Sequence, residues 1–519
     1  MAEIKRKKIG YSRAYIDNYL ASKALEIKAA LLASFQHTPI DGDGTYLGVR
    51  FYNNSTTGQL VGLAAEYTPS KLETTGYTAG TIQGIWPFNA ITEVSINAYD
   101  KSNNQALEDG SGNQLVEKFA KFPKMFCRCW TGKDANGSFI EYDIKATADE
   151  THGFYEHGAF YNHRTGTYND YALLSKYFLG KVSTGGSTRY LSISGYEPID
   201  ETDPGTIDAS RSKDSDCLQL QVSLFQWLHM ICFADRSYGY NGSGVQGFKG
   251  CSRDYVFNGT TPTYDNTNHT ITVPTSSIYA GLPVGAKIVT CSNGYAKGRT
   301  NQVTITAKEI SGSNTVYTHD GTDKTLSGVI HCIHKVDTGI CDSITAMHGV
   351  MTSYPEGMQP FVEFYIENPY GMKTWVDGMA YNYSKLRCKD LGDSNQVWSN
   401  RGGWDEVGCG TVPSGYPTAL MDMSKFRDAN GNYKYRGFLS NADNAGSSSN
   451  GVASNNGFTT GNDYAWCWGE PTEPNGHGGV MYMSSAGGNH AWGNLSSANS
   501  TYGCAGRFYR STRLENASE

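Results

Sequence analysis

Apolar and aromatic positions in Phe361-Val-Glu-Phe-Tyr-Ile-Glu-Asn-Pro-Tyr-Gly-Met-Lys-Thr-Trp-Val-Asp-Gly378 fall at Phe361, Phe364, Ile366 and Tyr370, and Gly371 permits a bend before Trp375 and Val376. The pattern predicts a strand, a tight turn and a second short strand, in isolation an ordinary core hairpin. Two stretches carry helical periodicity instead. In residues 13–35 the stripe Ile16, Leu20, Ala24, Ile27, Leu31 runs opposite Lys23, Glu26 and Lys28. It predicts a helix that either docks or trimerises, or packs back on its own domain. In Leu218–Phe233 the residues Leu220, Leu224, Trp227, Leu228 and Ile231 line one face, and the acids from Asp214 to Asp216 favour initiation there. His229, inside this second helix, reads as a satisfied core or boundary histidine.

The remaining texture is that of strands and turns. Residues 45–119 alternate short apolar runs with polar turns, as in Tyr46–Phe51 and Ile91–Ile96, and predict a small β-rich region. Phe122 to Trp130 alternates like a half-buried strand. Residues 255–335 are rich in Thr, Val, Ile, Gly and Asn, with strands expected at Ile271–Val273, Ala286–Thr290 and Gln302–Ala307. They read as a β-module inserted into a host domain, which is structurally cheap at an exposed loop. From 398 to 515 Gly, Asn, Ser and aromatics dominate. Asn441–Asn456 is expected to be loop, and the flanking Trp466, Trp468, Tyr482 and Trp492 point to an ordered, packed region.

Composition narrows the setting. The 519 residues carry 18% charged side chains, 60 glycines and 35 tyrosines, with only 16 prolines, a balance suited to short strands joined by long ordered loops. The formal charge of −7 argues against a nucleic-acid-binding surface. The only basic run, Lys5-Arg-Lys-Lys8, reads as a solvated tail. No apolar stretch is long enough to span a bilayer, and the N-terminus lacks the apolar core and cleavage site of a signal peptide. The twelve cysteines show no zinc spacing and read mostly as buried free thiols, in a chain folded in a reducing cytoplasm. His152, His157 and His163 lie at intervals that suit neither a helical nor a strand metal pair.

Several of these segments, taken in order, resemble phage tail and receptor-binding proteins with a C-type-lectin-like domain, related in fold to the formylglycine-generating enzyme. Phe122-Pro-Lys-Met-Phe-Cys-Arg128 resembles the family's first strand. His157-Gly-Ala-Phe-Tyr161 and Tyr177-Phe-Leu-Gly-Lys181 resemble its next elements, and 218–233 takes the place of its long helix. Ile366-Glu-Asn-Pro-Tyr-Gly-Met-Lys-Thr-Trp-Val-Asp-Gly378 is similar to its central signature. Gly487-Gly488 with Trp492, followed by Gly503-Cys-Ala-Gly-Arg507, resembles the last strands. Tyr370 and Met372 depart from the usual Trp and Asn, and 379–463 is a longer excursion than the family leads one to expect.

The resemblance implies an α+β fold. A C-type-lectin-like domain over 120–515 is interrupted by the 255–335 β-rich insertion and preceded by an N-terminal helix and linker (1–44) and the β-rich region (45–119). It further implies a ligand-binding loop face, in some members diversified by a retroelement. The expected ligand-binding residues are Asn489, His490, Trp492, Asn494, Ser496, Ser497, Asn499, Ser500 and Tyr502, together with Trp466 and Trp468. Their Asn, Ser and His content suits adaptable hydrogen bonding around rigid aromatic anchors. Trp466 and Trp468 are otherwise core residues. Trp375 is expected to lock the core beneath the face.

Glu473-Pro-Asn475 matches the tripeptide that supplies calcium ligands in C-type lectins. Glu473, Asn475 and Asn494 are therefore weak calcium candidates. Gly493 has no side-chain oxygen to offer and Val480-Met-Tyr-Met483 is apolar, so a solvated proline loop is the leading reading and no cofactor is expected. The family's oxidase chemistry needs a close cysteine pair near the C-terminus, and this chain has Cys504 with Cys467 far upstream. No enzyme activity is expected. The expectation is a virion adhesin, at the tail fibre or tail tip, that binds a glycan or protein receptor on the bacterial surface. It would be a homotrimer joined to other virion proteins through its N-terminal region, without nucleic acid or membrane insertion. A structural virion protein using the domain for assembly contacts is the alternative.

Overall fold

The computed structural model describes residues 45–52, 55, 57–100, 105–162, 167–184, 186–198, 217–219, 222–235, 262–291, 299, 301–333 and 335–369. Beyond these it describes the backbone of the strands Thr374–Asn382, Lys385–Cys388, Asp405–Glu406, Val452–Ala453, Tyr464–Trp468, Met483–Ser484 and Phe508–Arg510. These residues are mostly β-sheet, with one α-helix, Val222–Phe233, among them. The helix predicted over 13–35 lies outside the described residues.

Two five-stranded antiparallel sheets frame the helix. The first runs in the order Tyr155–Glu156, Phe126–Asp134, Gly137–Lys145, Leu47–Tyr52, Gln59–Gly62. Its inner face carries Leu47, Val49, Phe51, Cys127, Tyr142 and Ile144, all buried in one hydrophobic cluster with the helix. Trp227 meets the edge of Tyr142 at 5.3 Å between ring centroids. On the outer face Arg50 Nε donates to Glu141 at 2.6 Å and Arg128 Nε to Asp143 at 2.8 Å. Gly48 makes room for the second pair, because a Cβ there would come within 2.1 Å of Asp143 Oδ1.

The second sheet runs Cys217–Gln219, Phe508–Arg510, Tyr171–Ser175, Val116–Pro123, Thr92–Asn97. It therefore joins the last described strand to strands as early in the chain as Thr92–Asn97. Position 119, where the pattern of the chain changes, falls inside the strand Val116–Pro123, and the strands on either side of it share both sheets.

The helix is buried on every side. Leu224, Phe225, Trp227, Leu228, Met230, Ile231 and Cys232 have no exposed surface, and Gln226 and His229 are buried with them. Burying a large apolar side chain stabilises by about 1.5–3 kcal/mol, so this helix anchors the core. It is shorter than its apolar pattern predicts. Cys217–Gln219 is a strand hydrogen-bonded to Phe508–Arg510, and pairing with a distant segment overrides the local helical preference there.

Two further predictions are corrected. Phe122–Trp130 is not one strand. Val116–Pro123 ends at a proline, which has no N–H to donate, and Phe126–Asp134 begins after Lys124 and the buried Met125. Asn441–Asn456 is not wholly loop, because Val452–Ala453 pairs in parallel with Met483–Ser484.

The strands expected in 255–335 are present. Thr263–Asp265, Thr270–Pro274, Asn314–His319, Val303–Ser311, Lys287–Cys291 and Val329–His331 form one six-stranded sheet from a single contiguous stretch. Its Ile271, Val273, Tyr279, Ile288 and Tyr317 belong to the same hydrophobic cluster as the helix. The five described cysteines whose side chains are placed, Cys127, Cys232, Cys291, Cys332 and Cys341, are buried free thiols. No helix among the described residues is long and apolar enough to cross a membrane.

Candidate functional site

The segment 361–378 is the junction of the structure. Phe361–Glu363 and Ile366–Glu367 form a hairpin, with Val362 opposite Glu367 and Glu363 opposite Ile366. The turn of this hairpin lies at Phe364–Tyr365; Gly371, where a bend is expected, is outside the described residues. Burial explains the position of the turn. Phe364 is fully buried, with its ring near those of Phe88, Phe122, Phe225, Phe233 and His348, so the chain reverses where that ring can enter the core.

Glu367 and Asn368 accept hydrogen bonds from the backbone of neighbouring segments. Glu367 Oε1 accepts the Gly339 N–H at 3.0 Å and Oε2 the Cys341 N–H at 2.8 Å. Asn368 Oδ1 accepts the Phe361 N–H at 2.9 Å, and the Asn368 N–H donates to Phe361 O at 2.8 Å. The Glu367 N–H donates to the Lys176 carbonyl at 2.9 Å, fastening the hairpin to the end of Tyr171–Ser175. These side chains hold loops in place and face no solvent.

Downstream, Thr374–Asn382 pairs with Tyr464–Trp468. Thr374 is opposite Trp468 and Trp375 opposite Cys467, then the register shifts, and Ala380 is opposite Ala465. Val376, Asp377, Gly378 and Met379 thus fall at the irregularity facing Trp466. Trp466 and Trp468 are both within the strand Tyr464–Trp468. Strand Tyr464–Trp468 also pairs with Met483–Ser484, and the next described strand is Phe508–Arg510 in the second five-stranded sheet. Asn489, His490, Trp492, Asn494, Ser496, Ser497, Asn499, Ser500 and Tyr502 are outside the described residues, as are Glu473 and Asn475. The backbone on both sides of this segment is held in a sheet.

The main cluster of titratable groups in the described core was not foreseen. His229 Nδ1 lies 2.6 Å from Glu363 Oε1, and neither side chain is exposed. Beside them His348 is buried, stacked on Tyr77 at 5.0 Å, and its Nδ1 accepts the Phe364 N–H at 3.4 Å. The Tyr77 hydroxyl donates to Ser70 at 3.2 Å. Burial pushes the Glu363 carboxyl upward, and the facing His229 pulls it back. Burial, reinforced by His229, pushes His348 down to about 3. Burial raises both the Cys232 thiol and the Tyr77 hydroxyl.

The cluster ties the helix, the hairpin and the strands near residue 70 together in a buried, low-dielectric space, where hydrogen bonding between the polar groups is what makes burying them tolerable. His229 was legible as a core histidine. Its partner Glu363 had one signal, a lone acid in the apolar run Phe361-Val-Glu-Phe364.

Of the three closely spaced histidines, His152 Nδ1 lies 2.7 Å from Asp149 Oδ1 at the surface, and His157 is buried, its Nδ1 accepting the Ala159 N–H at 3.0 Å. His163 is outside the described residues. No group of three or more His, Cys, Asp or Glu able to hold a metal ion occurs among the described residues. Neither family models, nor curated proteins, nor solved structures match this chain.

Proposed function

We propose that this chain is a virion adhesin, built on a C-type-lectin-like domain whose C-terminal loops bind a glycan or protein receptor on a bacterial surface. The N-terminal segment would join it to the virion, as a trimer whose repeated sites convert modest affinity into firm adhesion. The proposal starts from the ordered motifs between Phe122 and Arg507 that resemble the family. The observation that carries it furthest is the path of the last strands. Met483–Ser484 is held in one sheet and Phe508–Arg510 in another, between Tyr171–Ser175 and Cys217–Gln219. The segment from Asn489 to Tyr502 is therefore a connection anchored at both ends, with a composition suited to recognition. The signature residues Glu367 and Asn368, by contrast, serve the frame.

The experiment is adsorption. Purified chain should bind some members of a panel of bacterial strains and compete there with phage particles for attachment. Alanine substitutions at Asn489, His490, Trp492, Asn494 and Tyr502 should abolish binding while particles remain intact. A chelator should leave binding in place, since the calcium ligand set around Glu473 and Asn475 is incomplete. Failure to bind or compete on any strain overturns the adhesin reading. Defective particles from the same substitutions favour assembly contacts instead.

A further inference from the structure

The turn joining Phe361–Glu363 to Ile366–Glu367 is held in a conformation that its residues disfavour. Phe364 and Tyr365 have φ of 49° and 61°, in the left-handed region that bulky L-residues avoid. Such backbone persists only where its surroundings over-determine it. Here two hydrogen bonds run from the turn to one adjacent segment: Tyr365 N–H to Met347 O at 2.9 Å, and Phe364 N–H to His348 Nδ1 at 3.4 Å.

A neutral imidazole has one accepting nitrogen. Because His348 accepts at Nδ1, its own proton sits on Nε2. A second proton would have to go to Nδ1, where it would face the Phe364 N–H donor to donor. The resulting cation would lie among Tyr77, Phe233 and Phe364, whose ring centroids are 5.0, 5.4 and 4.8 Å away. The titratable groups on the elements packed around it are His229 and Cys232 of the helix, Glu363, Tyr365 and Glu367 of the hairpin, and Tyr77 of Gly76–Thr78; Glu367 accepts the Gly339 and Cys341 N–H groups. Glu363 is already engaged by His229. On the neighbouring strand, Lys71 and Glu73 are exposed.

We propose that His348 is an acid-operated latch: proton uptake at Nδ1 removes the acceptor for the Phe364 N–H and releases the strained hairpin Phe361–Glu367 before the rest of the molecule unfolds. In the sequence the hairpin is followed by Thr374–Asn382, which pairs with the strand bearing Trp466 and Trp468. The latch operates whether or not those tryptophans contact a receptor. Burial holds the folded His348 near 3, below its ordinary 6.5, which sets the working window between those values.

Hydrogen exchange on the full chain, corrected for the intrinsic pH dependence of exchange, tests this. Opening across 361–368 should rise by up to about tenfold per pH unit below about 6.5, as expected for one proton taken up on opening, and should run ahead of the opening of Gly137–Lys145, which waits for global unfolding. In His348→Asn the amide oxygen can take the Phe364 N–H but cannot titrate, so the pH dependence of the hairpin should disappear. In His157→Asn it should persist. Loss of protection in both segments together, or an unchanged pH dependence in His348→Asn, overturns the latch. Should His348→Asn fail to fold, the comparison of the two segments in the unsubstituted protein decides alone.

Discussion

His229 Nδ1 and Glu363 Oε1 lie 2.6 Å apart, and neither side chain has any exposed surface. The contact joins the helix that anchors the core to the hairpin that leads into the C-terminal sheet. A buried pair of this kind adds little over a well-packed apolar pair, but removing one partner strands the other. Glu363→Ala should therefore cost about 3–5 kcal/mol, measured by urea denaturation. Glu363→Gln keeps an acceptor for His229 and should cost clearly less. Equal losses in the two variants would show that a neutral acceptor cannot stand in for the carboxylate.

Acid should destabilise the whole molecule through His157 as well as through the latch. Burial pushes His157 to about 3 from an ordinary 6.5. The folded state then binds fewer protons than the unfolded state between those values. Its contribution is complete above about pH 6.5 and is lost as pH falls toward 3, at about 1.4 kcal/mol per pH unit. Glu363, shifted upward, works in the opposite direction and offsets part of the loss. In His157→Asn, whose amide oxygen can accept the Ala159 N–H, the stability curve over this range should flatten by that slope.

The two residues of the strained turn should respond with opposite signs. Tyr365 is only partly buried, and glycine at its φ of 61° relieves the left-handed penalty, so Tyr365→Gly should stabilise by up to about 1 kcal/mol. Phe364→Gly relieves the same strain but empties the aromatic cluster, and should destabilise by about 2–4 kcal/mol. Thermal unfolding of the two variants side by side gives the comparison. Destabilisation of comparable size in both would mean that the Tyr365 ring outweighs its backbone strain.

What could be read from the chain follows from the range of the forces involved. The stripe Leu224, Trp227, Leu228, Ile231 is local periodicity, and all four residues are buried. The strands of 263–331 pair only with one another, so their alternation and turns sufficed. Leu218 and Gln219 fit the helical pattern yet lie in the strand Cys217–Gln219, because its partner, Phe508–Arg510, is near the other end of the chain and leaves no local trace. The turn at Phe364–Tyr365 contains neither Gly nor Asn, so turn chemistry gives no sign of it. The His229–Glu363 pair required the helix and the hairpin to be packed together, which no spacing rule encodes.

Asn368 offers the most direct test of why this hairpin has the residues it has. Its φ is 42°, and its Oδ1 accepts the Phe361 N–H at 2.9 Å, closing the open end of the hairpin. Asparagine tolerates the left-handed region better than other residues with a Cβ, and its side chain supplies an acceptor that the backbone cannot. The two roles separate by substitution. Asn368→Gly keeps the conformation and leaves the buried Phe361 N–H without its side-chain acceptor, at about 1–3 kcal/mol. Asn368→Ala loses the same bond and adds the strain of alanine at this φ, a further 1 kcal/mol or so. Stability measured by urea denaturation should therefore rank Asn above Gly above Ala. If alanine equalled glycine, the left-handed backbone would not be the reason for asparagine, and if glycine equalled asparagine, the hydrogen bond to Phe361 would carry no weight.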